Sequence, residues 1–322
     1  NEVAKDFKVS VSKYDLPDII FCSFPTIDLA YISVKFGLQN NIPVIVDVRD
    51  LWPDIFLNPF PFILKPFIRL ALSSYFMKTT YIFKNTYGIT GVSKQYLNFG
   101  LNYAQREVSE RDKVFPLGFD SEGKSKIIID DKEFIRLNVN SKHFNIWFVG
   151  TFGRTYDLST VIKVARKLEK TNPNVKFIFT GDGEKMDLWK KESNFLNNII
   201  FTGWVGKNEL HYISSKSNIG LMAYAKGAPQ GLPNKVFEYM ASGLPILSSL
   251  QTETKELIKK NKIGLSYIPN NQENLLSKIL TLISNKKLLK EMRYNSIKAF
   301  KEKFDSEIIY ENLIKFLLKN KK

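Results

Sequence analysis

The sequence predicts an α/β protein with two Rossmann-like domains of unequal size. Short runs of β-branched and aromatic residues alternate with segments of helical length, which is typical of βαβ units around a parallel sheet. The chain has 322 residues, of which 44% are hydrophobic and 13% aromatic. This length and composition suffice for two buried cores and exclude wholesale disorder.

The first domain is expected at residues 1–120. Its predicted strands are Asp18–Ser23, Val44–Val48, Gly88–Val92 and Lys113–Leu117, and its helical segments lie near Thr26–Gln39, Pro61–Lys84 and Lys94–Leu101.

The second domain is expected at residues 121–304, where Glu122–His143 is charged, lacks a clean period and is interpreted as a linker and lead-in. The predicted strands are Ile146–Val149, Lys176–Thr180, Ile199–Thr202, Ile219–Ala223, Ile246–Ser249 and Gly264–Ile268. The predicted helices are Leu158–Lys170, Asn234–Ser242, Glu253–Lys260, Asn271–Ser284 and Lys287–Phe304. A last helix within 305–322 is expected to pack back towards the first domain.

Composition excludes several kinds of site. The single cysteine, Cys22, excludes a disulfide framework and a Cys-ligated metal, and the two histidines, His143 and His211, lie far apart in sequence. The sequence has no run of eighteen apolar residues and no signal peptide. We therefore expect a cytoplasmic protein, either free or peripheral on the inner face of the cytoplasmic membrane. The chain begins at Asn1 without methionine, so we expect its natural start to be missing.

The formal net charge of +15 is unevenly distributed. Residues 1–120 carry 13 Lys and Arg against 12 Asp and Glu, whereas the rest carries 34 against 20. The chain is rich in Lys, Asn and Ile, so part of this excess is expected to be solvated lysines on the surface. The rest favours an anionic partner, and no nucleic acid is expected because the sequence has no basic stripe with interleaved aromatic residues.

Glycines follow the predicted strands of the second half. Gly150, Gly181, Gly183 and Gly203 each come just after a strand, where a glycine commonly serves a turn. Ligands of such sheets bind outside the carboxyl ends of the strands. Several glycines at one edge therefore favour a binding site there.

The segment Gly227–Pro245 contains the densest group of candidate residues. Its Gly/Pro-rich loop leads into a helix predicted to begin near Pro233 or Asn234, with Asn234 as a good N-cap. Backbone amides at this point favour a phosphate, and Lys235 in the first turn would oppose the helix dipole unless an anion is bound. Glu238 could accept hydrogen bonds from two hydroxyl groups of a ribose. The alternative is that Glu238 is simply an exposed glutamate on a helix.

The stretch PNKVFEYMASGLPI, residues 233–246, resembles the donor-binding region of the GT-B glycosyltransferases of family 4. Further similar motifs are VGTFG at 149–153, FTGDGE at 179–184, FTGWV at 201–205 and FPLGFD at 115–120, and RDLWP at 49–53 is similar to the capsule and O-antigen branch. The resemblance covers nearly the whole chain. It implies two Rossmann-like domains facing a cleft, with the first βα units of the N-terminal domain absent.

The resemblance implies a retaining transferase that moves a sugar from a nucleotide diphosphate, with a UDP-sugar as the expected donor. The acceptor would be a lipid-linked saccharide or another saccharide in bacterial surface polysaccharide synthesis. No cofactor beyond the donor is expected, and no metal, because the chain has no Asp-x-Asp. The alternatives are a UDP-sugar epimerase of GT-B fold and a non-catalytic nucleotide-sugar-binding subunit.

The resemblance also assigns candidate donor contacts. They are Gly150, Thr151, Gly153, Gly181, Asp182, Gly183, Trp204, Val205, Gln230, Gly231, Leu232, Pro233, Asn234 and Glu238. Arg154 and Lys235 are the cations expected on the leaving UDP, although the family's usual arginine position is Thr151. Glu238 matches the second carboxylate of the family's E-x7-E motif, and the uncharged Gln230 stands at the first.

Two features of the first half complete the candidate site. Asp50 and Arg49 follow a buried strand, and we expect Asp50 to orient the acceptor or take its proton; the alternative is a salt bridge between these neighbours. Ile55–Met77 holds five Phe and three Pro. This segment is either a core helix with a Pro-broken entrance, or it presents Phe60, Phe62 and Phe67 to an anionic membrane surface near a lipid-linked acceptor.

Overall fold

The computed structural model describes residues 6–7, 10–11, 14–120 and 131–321. Most of the chain's first segment and the first part of the predicted linker, up to residue 130, lie outside the described residues. The chain divides into two compact units, one formed by Asn1–Leu117 with Ile309–Lys322 and the other by Gly118–Ile308. The expected domain boundary at residue 120 differs from this division by three residues.

The described part of the first unit contains a parallel sheet in the order β1-β2-β3-β4. Its strands are β1 (Ile20–Phe24), β2 (Val44–Val48), β3 (Gly88–Gly91) and β4 (Lys113–Val114), and its helices are α1 (Ile27–Asn40), α2 (Lys65–Ala71), α3 (Ser73–Asn85) and α4 (Lys94–Ala104). All five residues of β2 are buried, as expected for an inner strand of a parallel sheet. The sequence of this strand is apolar except for Asp47, and that exception matters for the site.

The segment predicted as one helix from Pro61 to Lys84 is divided into three pieces. A 3₁₀ turn at Phe62–Leu64 precedes α2, and α3 follows after Leu72. The core alternative holds for α3, which buries Phe76, Ile82 and Phe83, but it is wrong for α2, which buries none of its residues. Pro66 fits the first turn of α2 because proline lacks the amide donor that a helix interior needs.

The described part of the second unit contains a parallel sheet in the order β10-β9-β8-β5-β6-β7. Its strands are β5 (Phe144–Val149), β6 (Val175–Thr180), β7 (Ile199–Gly203), β8 (Ile219–Met222), β9 (Ile246–Ser248) and β10 (Gly264–Ser266). Its helices are α5 (Leu158–Thr171), α6 (Met186–Glu192), α7 (Lys207–Lys216), α8 (Lys235–Ala241), α9 (Glu253–Asn261), α10 (Gln272–Ser284) and α11 (Lys286–Lys303).

Two parts of the second unit differ from the sequence analysis. Helices α6 and α7 were not predicted. The described end of the expected linker is a 3₁₀ helix at Asp131–Leu137, and Phe134, Leu137 and Val139 are buried in the core of this unit. The linker interpretation is therefore wrong for these residues, because three widely spaced apolar side chains give no helical or strand period and yet supply core contacts.

The last helix, α12 (Ser306–Lys319), belongs to the first unit from Ile309 onward. Ile309, Leu313 and Phe316 form a buried cluster with Ile45 and Phe115 of that unit. The spacing of four and three residues places these side chains on one helix face. Among the described residues, no helix combines the length and apolar composition needed to cross a bilayer.

Candidate functional site

Loops at the carboxyl ends of three neighbouring strands of the second unit are tied together by backbone hydrogen bonds. The amide of Gly150 donates to the carbonyl of Thr180 at 3.0 Å, and the amide of Gly181 donates to the carbonyl of Gly203 at 2.9 Å. The amide of Phe152 also donates to the carbonyl of Asp182 at 2.8 Å. The VGTFG, GDG and FTG motifs thus form one edge, as the sequence analysis predicted.

Gly181 is required at this edge by both space and conformation. Its φ is +131°, and a Cβ on it would lie 2.0 Å from the carbonyl oxygen of Gly150. Any side chain would force the two loops apart. The glycine spacing that the sequence shows is therefore a consequence of close backbone contact.

Lys235, the first residue of α8, is buried in an aromatic box formed by Phe148, Tyr156 and Tyr224. Its Nζ lies 4.2 Å, 4.4 Å and 5.6 Å from the three ring centroids, in that order. The ammonium donates a hydrogen bond to the hydroxyl of Tyr156 at 3.4 Å, and it forms no ion pair with a carboxylate of the described residues. Cation–π contacts thus supply part of what water would supply to an exposed lysine.

Burial lowers the pKa of Lys235 to about 7, and the negative charge of Glu238 opposes part of that shift. The side chain is only 8% exposed. Glu238 offsets the cost of burying this ammonium only in part, so the protonated form gains strongly from a further anion that comes close.

The position of α8 depends on Tyr239. The Tyr239 hydroxyl donates towards the carbonyls of Trp147 and Leu221, both at 3.1 Å, and accepts the amide of Val149 at 3.3 Å. Its ring lies against Gly220, where a Cβ would come within 2.4 Å of the ring. Tyr239 therefore fixes α8 to β5 and β8, and with it the position of Lys235 one turn earlier.

The loop before α8 is held by two threonines. Thr252 and Thr254 donate their hydroxyls to the carbonyl of Gly231 at 2.9 Å and 2.7 Å, and Thr252 also bonds the carbonyl of Gln230. The side-chain oxygen Oε1 of Gln230 is buried and has no hydrogen-bond partner among the described residues. Buried acceptors are normally satisfied, so this oxygen is a candidate for a ligand donor.

Asn234 does not cap α8 as the sequence predicts. It stands at the N-cap position, but its backbone is helical at φ −52° and ψ −32°, and its side chain makes no capping bond. A capping side chain needs an extended backbone at this position. Because the backbone of Asn234 is already helical, its side chain is not placed to cap α8. Glu238 is half-buried on the same helix, so the alternative of a fully exposed helical glutamate is wrong.

The remaining predicted donor contacts differ in exposure. Thr151, Asp182 and Trp204 are exposed, with Trp204 at 80%, whereas Gly153, Gly183, Leu232 and Pro233 are half-buried. Arg154 is exposed and pairs with Glu184 of the GDGE turn at 3.2 Å. The side chain of Val205 belongs to the hydrophobic core, so only its backbone remains available to a ligand.

The carboxyl edge of the first unit is built from charged side chains. Arg49 donates to the buried carboxylate of Asp47 at 2.7 Å, and Thr90 donates to the other oxygen of Asp47 at 2.7 Å. The expected alternative, a salt bridge between Arg49 and Asp50, is wrong because Arg49 reaches back to Asp47. Asp50 instead accepts the amide of Leu51 at 2.8 Å.

Tyr96 of α4 lies near Asp50. Burial raises the pKa of Tyr96, and the negative charge of Asp50 raises it further. This electrostatic coupling places a phenol and a carboxylate together at the edge of the first sheet.

Sequence reasoning missed several contributors to the two edges. They are Asp47 in the first unit and Phe148, Tyr156 and Tyr224 in the second. A lone aspartate inside the apolar run VIVDV was a usable signal, because a buried carboxylate needs partners. The three aromatic residues gave no signal, since aromatic residues at strand ends usually serve the core. In the described residues no group of three or more His, Cys, Asp or Glu is placed to hold a metal ion.

Comparisons with known proteins agree with the two-unit α/β architecture. The chain is 24% identical over 262 residues to a chitobiosyldiphosphodolichol beta-mannosyltransferase of Candida glabrata, covering 74% of this chain but 57% of that enzyme. The chain thus spans little more than half of that curated relative.

Two solved structures share the fold. Anabaena Alr3699/HepE in complex with UDP superposes with a TM-score of 0.76 at 15% identity, covering 99% of this chain and 82% of that one. WaaG, a glycosyltransferase involved in lipopolysaccharide biosynthesis, superposes with a TM-score of 0.61 at 14% identity, covering 89% and 81%. These likenesses show the GT-B fold.

The sequence pattern of the family "Glycosyl transferases group 1" matches residues 130–299. The match spans slightly more than half of the chain and includes the glycine edge, the loop before α8 and the aromatic box around Lys235. The chain therefore belongs to the glycosyl transferases group 1.

Proposed function

We propose that the protein is a retaining glycosyltransferase whose second unit binds a UDP-sugar and whose first unit binds the acceptor. The single observation that carries the proposal is the buried ammonium of Lys235, enclosed by three aromatic rings beside the glycine edge. A diphosphate there would add to the counter-charge that Glu238 supplies to this cation only in part.

The loops around Lys235 suit a diphosphate in two further ways. A Cβ on Gly150 would lie 2.8 Å from Nζ, so the glycine leaves the backbone open next to the cation. Backbone amides of the loop around Gly231 would face the phosphates. As the bond between sugar and phosphate breaks, negative charge grows on the leaving UDP, and a fixed cation at that point lowers the barrier.

Gln230 and Glu238 are proposed to contact the rest of the donor. The unpaired Oε1 of Gln230 can accept a hydrogen bond from a sugar hydroxyl without adding charge. Glu238 would accept from the two ribose hydroxyls, and the exposed ring of Trp204 would lie against the base.

The acceptor is proposed to be a lipid-linked saccharide of bacterial surface polysaccharide synthesis. Support comes from the names of two similar proteins, one acting on a diphosphodolichol-linked saccharide and one involved in lipopolysaccharide biosynthesis. Asp50 would orient the acceptor hydroxyl or take its proton, with Tyr96 beside it.

The protein is further proposed to act at an anionic membrane surface on the cytoplasmic side. The segment 55–77 contains no acidic residue and includes Lys65 and Arg69, while Phe62 and Phe67 are 86% and 68% exposed. Exposed aromatic residues with flanking cations are typical of interfacial binding.

The test is a panel of UDP- and GDP-sugars in thermal-shift and turnover assays with EDTA present. We expect stabilisation by UDP and UDP-sugars, release of UDP in the presence of acceptor, and an unchanged anomeric configuration by NMR of the product. An isomerised free donor would indicate the epimerase, and binding without release or transfer would indicate a binding subunit. Either result would refute the transferase proposal.

A further inference from the structure

Two pockets share a wall in the first unit, next to the carboxyl edge of its sheet. Trp52 and Tyr75 line both of them. The smaller pocket, of about 360 Å³, contains Thr26 and Asp28 beside these rings. The larger is a groove of about 850 Å³ whose nine lining residues carry no charged side chain. One side of the shared wall is thus polar, and the other is apolar.

Two sides of the groove are attached to the core of this unit. Its floor follows a 3₁₀ helix at Asp54–Leu57, where Leu57 is buried and Asp54 accepts the hydroxyl of Tyr103 from α4 at 2.6 Å. Its far wall is the start of α3, held by the buried Phe76, over which Arg69 stacks at 4.5 Å. These two sides are therefore anchored to the core, whereas Ile68 and Ala71 line the groove from α2, which buries none of its residues.

The lining and rim expose apolar surface that a protein interior would normally cover. Phe56 and Phe60, which line the groove, are each 37% exposed, and in the same segment of the sequence Ile63 and Leu70 are 79% and 73% exposed. Contiguous exposed apolar surface marks an interaction site. A groove of this volume and composition suits a flexible hydrocarbon chain.

The smaller pocket has the groups that a polar head group needs. Asp28 pairs with Lys78 at 2.6 Å, and both are about one-third exposed, so the pair can bond to hydroxyl or phosphate groups at the pocket. Trp52 stacks edge-on against Phe56 at 4.7 Å, which fixes the shared wall. The rings of Trp52 and Tyr75 can contact the apolar face of a sugar on one side and a hydrocarbon on the other.

We propose that the two pockets form one site for an amphipathic acceptor, with the hydrocarbon chain of a polyprenyl-linked saccharide in the groove and its head group in the pocket of Thr26 and Asp28. The charges admit this occupant, because Lys78 pairs with Asp28 of the head-group pocket, and the segment 55–77 adds Lys65 and Arg69 without a further carboxylate. The assignment of this lipid as acceptor rests on the proposed function. Binding of the hydrocarbon chain is inferred from the groove alone.

Two tryptophan variants test the groove. Ala71→Trp places an indole in the groove from an exposed helix position, whereas Ser74→Trp adds the same group at an exposed position that does not line it. The probe is farnesyl phosphate below its critical micelle concentration, titrated by calorimetry into the full chain. We expect Ala71→Trp to weaken binding at least tenfold and Ser74→Trp to leave it unchanged.

Chain length supplies a second measurement on the unmodified protein. Each buried methylene contributes about fourfold in affinity, so farnesyl phosphate should bind far more tightly than geranyl phosphate, and inorganic phosphate should not bind measurably. A benzophenone-tagged farnesyl phosphate should label peptides within residues 52–75, even if the Ala71→Trp variant fails to fold. Equal affinities across the series, labelling elsewhere, or normal binding by folded Ala71→Trp would overturn the proposal.

Two further measurements distinguish acceptor binding from binding of a bulk membrane lipid, and failure of the groove assignment from failure of the proposed function. Flotation with anionic vesicles should be lost in Phe62→Asp/Phe67→Asp and kept in Ala71→Trp; if Ala71→Trp also stops floating, the groove holds a bulk membrane lipid and the acceptor assignment is wrong. UDP binding should be normal in both tryptophan variants. If farnesyl phosphate binds but UDP does not bind to any variant, the proposed function fails while the groove assignment stands.

Discussion

The carboxyl edges of the two sheets differ in the groups that form them. In the second unit the edge consists of backbone, with glycines so close that a Cβ on Gly181 would collide with Gly150, and one buried cation behind them. In the first unit the edge consists of side chains: Asp47, Arg49 and Asp50 with Tyr96 nearby, beside an apolar groove. Under the proposed function, a backbone edge suits the diphosphate of the donor, whereas a side-chain edge can change with the acceptor.

The largest expected effect is that of Asp50→Asn. If Asp50 takes the acceptor proton, turnover should fall about 10³-fold because the amide cannot act as a base. Transfer assays with matched UDP titrations measure this. Asp18→Asn, at an exposed position of the same unit, is the control. Near-normal turnover of Asp50→Asn would remove Asp50 from the chemistry and leave the first edge a purely structural feature.

Lys235→Met should reduce kcat/KM by about 10² to 10³, because it removes the fixed cation while keeping the contact with the aromatic box. Its melting temperature should stay the same or rise, since Glu238 offsets the cost of burying this ammonium only in part. Lys226→Met, which removes an exposed lysine of the neighbouring loop, should change neither quantity. A variant that keeps full activity would show that the second edge works by backbone alone.

Binding of UDP should weaken with rising pH. The pKa of Lys235 is lowered to about 7, so the free protein loses this charge above pH 7. If only the protonated form binds UDP well, the dissociation constant should rise about tenfold per pH unit between pH 7 and 9, and calorimetry in two buffers should show proton uptake on binding. A dissociation constant that is constant over this range would place the diphosphate away from Lys235, and Lys235→Met should give such a flat profile.

The same group predicts the pH dependence of stability. The folded pKa of Lys235 lies below the pKa of about 10.4 of an unfolded lysine, so between these values the unfolded chain binds more protons. The free energy of unfolding should therefore rise with pH from about 7 to about 10.4, and the penalty is fully present below pH 7. Urea titrations of wild type and Lys235→Met isolate this contribution as the pH-dependent part of their difference.

The smallest expected effect is that of Glu238→Gln. Removing the negative charge should weaken UDP binding about tenfold if the carboxylate accepts hydrogen bonds from the two ribose hydroxyls. Glu238 also raises the pKa of Lys235, so binding is compared well below pH 7, where Lys235 is protonated in both proteins. There, binding of 2′,3′-dideoxy-UDP should be the same for the variant and the wild type, because that ligand lacks both hydroxyls. Equal losses for both nucleotides would show that Glu238 acts on Lys235 rather than on the ribose.

The sequence by itself determined the parallel sheets and the glycine edge, and it predicted a donor site in the segment 227–245. These follow from local rules: the β2 run VIVDV is apolar apart from Asp47, and the glycines stand where strands end. The family resemblance gave the same site because its motif lies in one continuous stretch.

Only the tertiary structure decided the rest. Phe148, Tyr156 and Tyr224 come from two strand ends and enclose a lysine from a third element, and no local pattern joins residues so far apart in sequence. Arg49 pairs with Asp47 instead of Asp50, because alternate residues of an extended strand point the same way. The groove beside α2 also required the fold, since a Phe-rich sequence is equally compatible with a core helix and with an exposed wall until its neighbours are known.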